Sequence, residues 1–317
     1  MGNIKLSEGE KLFTECRTAT FRKEKFNYIH TGIIDSRGET WTTTELDEAN
    51  LNQVYNQYRL KYGIPFPDEV IALRKHYGLS AAKMSLILGF GANQYRLYES
   101  GEIPSASNAR ILVAIRDKRT FLDFLDASRE LVGEKEYDKI KGHVSALDDY
   151  TVRSSQPNGM NGYVSLSLPK AAAAVEYFVK NMGPVFVTKM NKLLFYADFL
   201  CYRRKGFGLT GLEYKAMPFG PVPCGWGRLY DSMPRVQLNE HVFPDMTSGI
   251  QLSADSEPDM KLFDETETDV LREISGQFRR TNAGEISKIS HEEAGWIENH
   301  ELRKTIDYSY AFSLSLQ

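Results

Sequence analysis

What the chain lacks narrows the reading first. Only three cysteines, Cys16, Cys201 and Cys224, stand in 317 residues, far apart and without a CxxC pair. That pattern supports neither a disulfide framework nor a cysteine-based zinc site. No apolar run approaches the ~20 residues that a membrane span needs. The opening residues, MGNIKLSEGEKLF, hold no apolar stretch of signal-peptide length, so a cytoplasmic location is expected. A basic excess is lacking too. The formal net charge is -3, whereas a generic polyanion binder is usually basic, so contact with DNA must come from a local patch. There is no Gly-rich phosphate loop and no Ser or Cys nucleophile motif. The expectation is therefore a non-enzymatic protein with no cofactor and no metal.

What is present is an unevenly charged chain with ample core material, 42% hydrophobic and 12% aromatic. Residues 66–119 hold eight Lys/Arg against five Asp/Glu, while residues 171–317 hold sixteen against twenty. The length fits two or three domains. Residues 1–64 read as a small α+β unit. Alternation predicts strands at 25–34 and 39–44, joined by Ser36-Arg37-Gly38, and Asp47 opens a helix running to Tyr62. Gly63, Pro65 and Pro67 punctuate the chain before an all-helical domain at 65–147. A Ser-, Asn- and Gly-rich linker is expected at 148–169. From 170 onward the pattern is again mostly helical. Helices are predicted at 171–182, at a longer segment capped by Thr188, at 265–278 and at 282–290, and Trp226 and Trp296 are expected in its core. The fold class is mainly α, with the small α+β unit at the N-terminus.

The most informative segment is 78–101, GLSAAKMSLILGFGANQYRLYESG. Two short helices meet at a turn eased by Gly89 and Gly91, the build of a helix-turn-helix. Met84, Leu86, Leu88, Phe90, Tyr95 and Tyr98 are expected to face inward, with small Ser85 at the close approach. Ala92, Asn93, Gln94, Arg96 and Leu97 are left outside at the start of the second helix. Asn and Gln can pair bidentately with adenine, and Arg with guanine. Ser80, Lys83 and Ser107 are candidate phosphate contacts, which set register rather than sequence. A single such module normally acts as a dimer on a two-fold operator.

The segment FPDEVIALRKHYGLSAAKMSLILGFGANQYRLYESGEIPS, within 66–125, resembles the XRE-type helix-turn-helix and, more narrowly, the C-terminal half of MqsA-type antitoxins. In that family an Asn early in the second helix reads bases, and Asn93 falls on it. Leu97 stands where the family carries an Arg, with Arg96 next door, and Ala81 stands where a Gln is common. Residues 24–62 resemble the end of the zinc-binding domain that precedes the family's helix-turn-helix. That domain uses two CxxC pairs, and only Cys16 with nearby His30 remains here, so a metal-free relative is expected. Residues 171–310 resemble the Panacea, or SocA-like, domain. The matching segments are VTKMNKLLFYADFLCYRRKG, LTGLEYKAMPFGPVP and ISHEEAGW, with His291 and Trp296 in the family's His-to-Trp pattern.

These resemblances imply an antitoxin of a type II toxin-antitoxin system. It would neutralise a cognate protein toxin through residues 170–317 and repress its own operon as a homodimer on operator double-stranded DNA. The competing readings are a proteolytic adaptor that delivers a partner to an ATP-dependent protease, and a stand-alone phage or plasmid regulator.

Overall fold

The computed structural model describes residues 6–150, 156–244 and 246–316. Part of the expected linker, 151–155, lies outside them. The chain folds as two compact units. One unites residues 1–54 with 157–317, and the other comprises residues 55–156.

In the first unit, β1 (Lys11–Phe21) and β2 (Glu24–Ile34) form an antiparallel hairpin, and β3 (Thr40–Trp41) adds to the β2 edge. Arg22 and Lys23 make the two-residue turn, both at positive φ (47° and 72°). That backbone matches the right-handed twist of the strands. The sequence signal had covered β2 and β3 but not β1, most of which is exposed. Helix α1 (Thr44–Tyr62) packs its first half over this sheet. Asn50 fixes the packing, taking Thr31 N–H on Oδ1 at 2.9 Å and giving Nδ2–H to Thr31 O at 3.0 Å.

The middle unit carries the second half of α1 and then α2 (Pro67–His76), α3 (Ala81–Ile87), α4 (Gln94–Glu99), α5 (Ala106–Ala114), α6 (Lys118–Ala127), α7 (Arg129–Val132) and α8 (Glu134–Ser145). Its core runs through Leu73, Tyr77, Met84, Tyr95, Leu112, Phe121, Leu125 and Ile140. Tyr77 stacks on Phe121 at 4.0 Å, and its hydroxyl, donating to Ile115 O, satisfies the polar end of the buried ring.

The rest of the first unit is built round one helix. After α9 (Leu168–Met182) and β4 (Val185–Phe186) comes α10 (Val187–Lys205), buried on all sides from Lys189 to Tyr202. Burial on every side makes it the central helix of this region, with Lys189, Asn191, Lys192 and Asp198 buried among its apolar side chains. The cap at its start is Phe186, with no side-chain bond, and Thr188 sits inside the first turn. β5 (Tyr214–Met217) and β6 (Gly220–Pro223) form a hairpin, followed by α11 (Trp226–Leu229). β7 (Gln237–Val242) and β8 (Ser248–Ser253) join β4 in a sheet of order β4-β8-β7. The helices α12 (Glu265–Phe278), α13 (Ala283–His291) and α14 (Ala294–Ile297) complete it. Capping boxes start α12 (Asp264 with Glu267) and α13 (Asn282 with Glu285), satisfying free N–H groups at each helix end. Gly206 ends α10 at φ 72°; a Cβ there would lie 2.7 Å from Asn52 Cβ. Asn52 Nδ2 donates to Lys205 O at 2.8 Å, so the N-terminal helix is bound to the end of α10.

Candidate nucleic-acid interface and partner-binding region

In the middle unit, the α3–α4 corner is held from three directions. Ser85 Oγ accepts Tyr95 N–H at 3.0 Å, and Tyr95 OH donates to Val70 O at 3.0 Å. Arg74 bridges α2 to α4 by donating from Nε to Glu99 Oε1 at 2.5 Å. Gly89, at φ 67°, supplies the left-handed turn that an L side chain resists. The buried tyrosines Tyr95 and Tyr98 fix which face of α4 looks outward.

That outer face carries Ala92, Asn93, Arg96 and Leu97, all exposed. Asn93 stands at the cap position with a side chain that makes no cap bond. Arg96 forms no ion pair among the described residues. Gln94 is half-buried and donates to Glu102 Oε1 at 2.9 Å. Ser80 caps α3, accepting Lys83 N–H at 3.2 Å, and Lys83 itself lies half-buried 3.8 Å from Glu136. Ser107 is exposed, its hydroxyl 3.0 Å from that of Ser105. One expected inward position differs: Leu86 is 37% exposed, whereas Phe90, half-buried, packs against the core with its ring edge-on to Tyr98. Leu86 falls on the outward side of the seven-residue α3, whose inner side is taken by Met84, Ser85 and Ile87.

The polar groups of α10 carry the chemistry of the C-terminal region. Asp198 is wholly buried and accepts from Leu209 N (2.8 Å), Thr210 N (2.7 Å), Thr210 Oγ1 (2.6 Å) and Tyr214 OH (2.6 Å). Burial raises its pKa, and the hydrogen bonds from Thr210, Tyr214 and Leu209 oppose that rise. Six residues earlier, Lys192 is equally buried, and its Nζ has no partner. Burial pulls that amine down to about 8. Gly220 sits directly on Lys192: a Cβ there would lie 2.7 Å from Lys192 Cε and 2.3 Å from Ser290 Oγ. Lys192 and Asp198 both stand in the segment VTKMNKLLFYADFLCYRRKG, where the sequence pattern alone does not single them out. A charged residue buried inside a core helix has to be paired or shifted.

On α13 and α14, His291 stacks on Trp296 at 4.0 Å, which stacks on His300 at 4.3 Å. Trp296 Nε1 donates to Met217 O at 2.8 Å, pinning the β5–β6 hairpin. Burial and the nearby Lys192 lower the His291 pKa. Glu293 turns inward to accept from Tyr196 OH (3.1 Å) and Ser315 Oγ (2.7 Å). Trp226 leaves the expected core. It is 41% exposed, because α11 is a single turn launched from left-handed Gly225 at the rim of a groove. The burial of Cys201 drives its thiol up to about 12, which removes it as a nucleophile at neutral pH.

A cleft of about 490 Å³ lies between the N-terminal sheet and α1, lined in part by Phe13, Arg17, Tyr28, His30, Asp47 and Asn50. Because Asn50 is oriented by its two bonds to Thr31, its amide points an N–H at His30 Nδ1, 3.2 Å away. That leaves the ring neutral with its proton on Nε2. Cys16 pairs across the hairpin with Ile29, on the face opposite His30. Among the described residues no three His, Cys, Asp or Glu side chains group to hold a metal, and no helix is long and apolar enough to cross a membrane.

Comparison with curated proteins and with solved structures gives no match. The family model described as "Antitoxin SocA-like, Panacea domain" does match, over residues 190–297, a span that holds Lys192, Asp198, the Gly220-Pro221 hairpin and the stacked His291 and Trp296.

Proposed function

We propose that this chain is an antitoxin of a type II system which binds a cognate protein toxin through its C-terminal region and represses its own operon through the α3–α4 corner. The observation that carries the reading is the antitoxin-family match over residues 190–297. The DNA-binding half rests on the exposed Asn93 and Arg96 on a helix locked by its buried tyrosines, and on the likeness of residues 66–125 to XRE- and MqsA-type domains. Neutralisation is occlusion: a toxin surface is covered and no bond is made or broken. Operator binding uses a homodimer, because one corner supplies few base contacts.

Co-expression tests the first half. A toxic product of the neighbouring open reading frame should stop growth alone and be silenced by this chain, including in a protease-null host. Failure to rescue would remove the antitoxin reading. For the second half, Asn93→Ala with Arg96→Ala should abolish the mobility shift of the promoter fragment while sparing growth rescue. Loss of two base contacts at roughly 1–3 kcal/mol each corresponds to at least a tenfold weaker shift. Equal loss of both activities would contradict the division of labour.

A further inference from the structure

The C-terminal region is acidic as a whole, with sixteen Lys/Arg against twenty Asp/Glu over residues 171–317. One groove on it reverses that sign. It is a cavity of about 530 Å³ beside the β5–β6 hairpin, and no carboxylate lines it. Its apolar walls come from Met217, Val222, Pro223 and Trp226, and its cations are Lys215 and Arg228. Both cations are exposed, and neither forms an ion pair among the described residues. The hairpin tip adds Phe219, 74% exposed.

This surface is held rigidly. Trp296 Nε1 anchors Met217 O at 2.8 Å, Ala216 N–H donates to Lys304 O at 3.1 Å, and Cys224 N–H donates to Glu213 O at 2.7 Å. A ready-made groove loses little conformational entropy on binding. An exposed Trp beside an unpaired Arg is the composition from which interface hot spots are drawn. Two cations on a region of net negative charge are too few for the counterion release that drives nucleic-acid binding. They suit a protein segment that brings its own carboxylates.

The geometry points to this groove as the toxin-docking site, occupied by an acidic toxin segment that sets an apolar side chain between Trp226 and Met217 and its carboxylates against Lys215 and Arg228. The inference rests on the antitoxin reading. The apolar contact supplies the affinity, and the charge pairs select the partner and speed its arrival.

The test uses the full chain and a purified toxin that wild type neutralises in cells, with affinity measured at 50 and 300 mM NaCl. Lys215→Glu with Arg228→Glu should weaken binding at least tenfold at the lower salt and flatten the salt dependence. Trp226→Ala should weaken it to a similar extent at both salts. Lys261→Glu with Arg280→Glu, exposed positions outside the groove, should stay within twofold. Circular dichroism and melting curves establish that each variant is folded. Binding within twofold of wild type in both folded groove variants would overturn the proposal while leaving the antitoxin reading intact. Failure of the wild-type chain to neutralise any neighbouring toxic product, so that no such toxin exists to purify, would overturn both.

Discussion

Lys192 gives the sharpest quantitative expectation. Its side chain is fully buried, its Nζ lacks any partner, and burial moves its titration from the ordinary 10.5 to about 8. At about 1.4 kcal/mol for each factor of ten in proton affinity, that displacement corresponds to about 3 kcal/mol. The unfolded chain holds the proton more tightly than the folded one, so between pH 8 and 10.5 it binds more protons, and stability rises with pH. Below pH 8 both forms are charged and the full cost stands. Lys192→Met, which keeps an unbranched chain and removes the charge, should therefore stabilise the fold at pH 7 by about 3 kcal/mol, less whatever packing is lost. At pH 9.5 the advantage should fall to roughly half that value, because the wild-type amine is by then neutral in the folded state. Comparing the two proteins cancels the tyrosines that titrate in the same range. Urea unfolding followed by tryptophan fluorescence is the assay. Trp41, Trp226 and Trp296 all lie in the unit that contains Lys192, so the signal reports that unit alone. A destabilised Lys192→Met protein at pH 7, or an advantage that does not shrink at pH 9.5, would refute the reasoning.

Two further outcomes are expected. Asp198→Ala should cost about 3–5 kcal/mol in urea unfolding, because it strands two hydroxyls and two backbone N–H groups in the core. A loss below 1 kcal/mol would mean that these donors find other partners. The His30 pKa is lowered by burial first and by Arg17 second, so the unfolded chain takes up this proton before the folded one does. Stability should then fall as pH drops through the ordinary value of 6.5, and His30→Phe should unfold with a shallower pH dependence between 7.5 and 5. Identical slopes for the two proteins would remove His30 from that account.

The legibility of the fold followed local chemistry. Helix α12 could be read to its ends, Glu265–Phe278, because Asp264 and Glu267 form a capping box ahead of a regular apolar stripe. Pro67 marked the start of α2 in the same way, since proline is preformed for the first helical position. Strand β1 was not legible. Its turn uses Arg22-Lys23 in a conformation that normally selects Asn or Gly, and its exposed face carries no apolar alternation. Trp226 and Leu86 are expected in the core but sit on helices of seven residues or fewer, too short to hide every apolar residue. At the candidate sites, the exposed Asn93 and Arg96 follow from the spacing of Tyr95 and Tyr98. The groove does not, because Lys215, Met217 and Arg228 come together only through the hairpin and the Trp296 anchor.

The hydrogen bond from Asn52 to Lys205 spans 153 positions of sequence. During synthesis at roughly 5–20 residues per second, the first fifty residues wait on the order of 8–30 s for the surface that completes them. The middle unit needs nothing that far downstream, so it is the first part of the newborn polypeptide able to finish folding. A ribosome that stalls before α10 would release a product whose α3–α4 corner is mature while the Asn52 side of its N-terminal helix lacks its partner surface. Truncated translation would thus separate the middle unit from the region matched by the antitoxin-family model without any mutation.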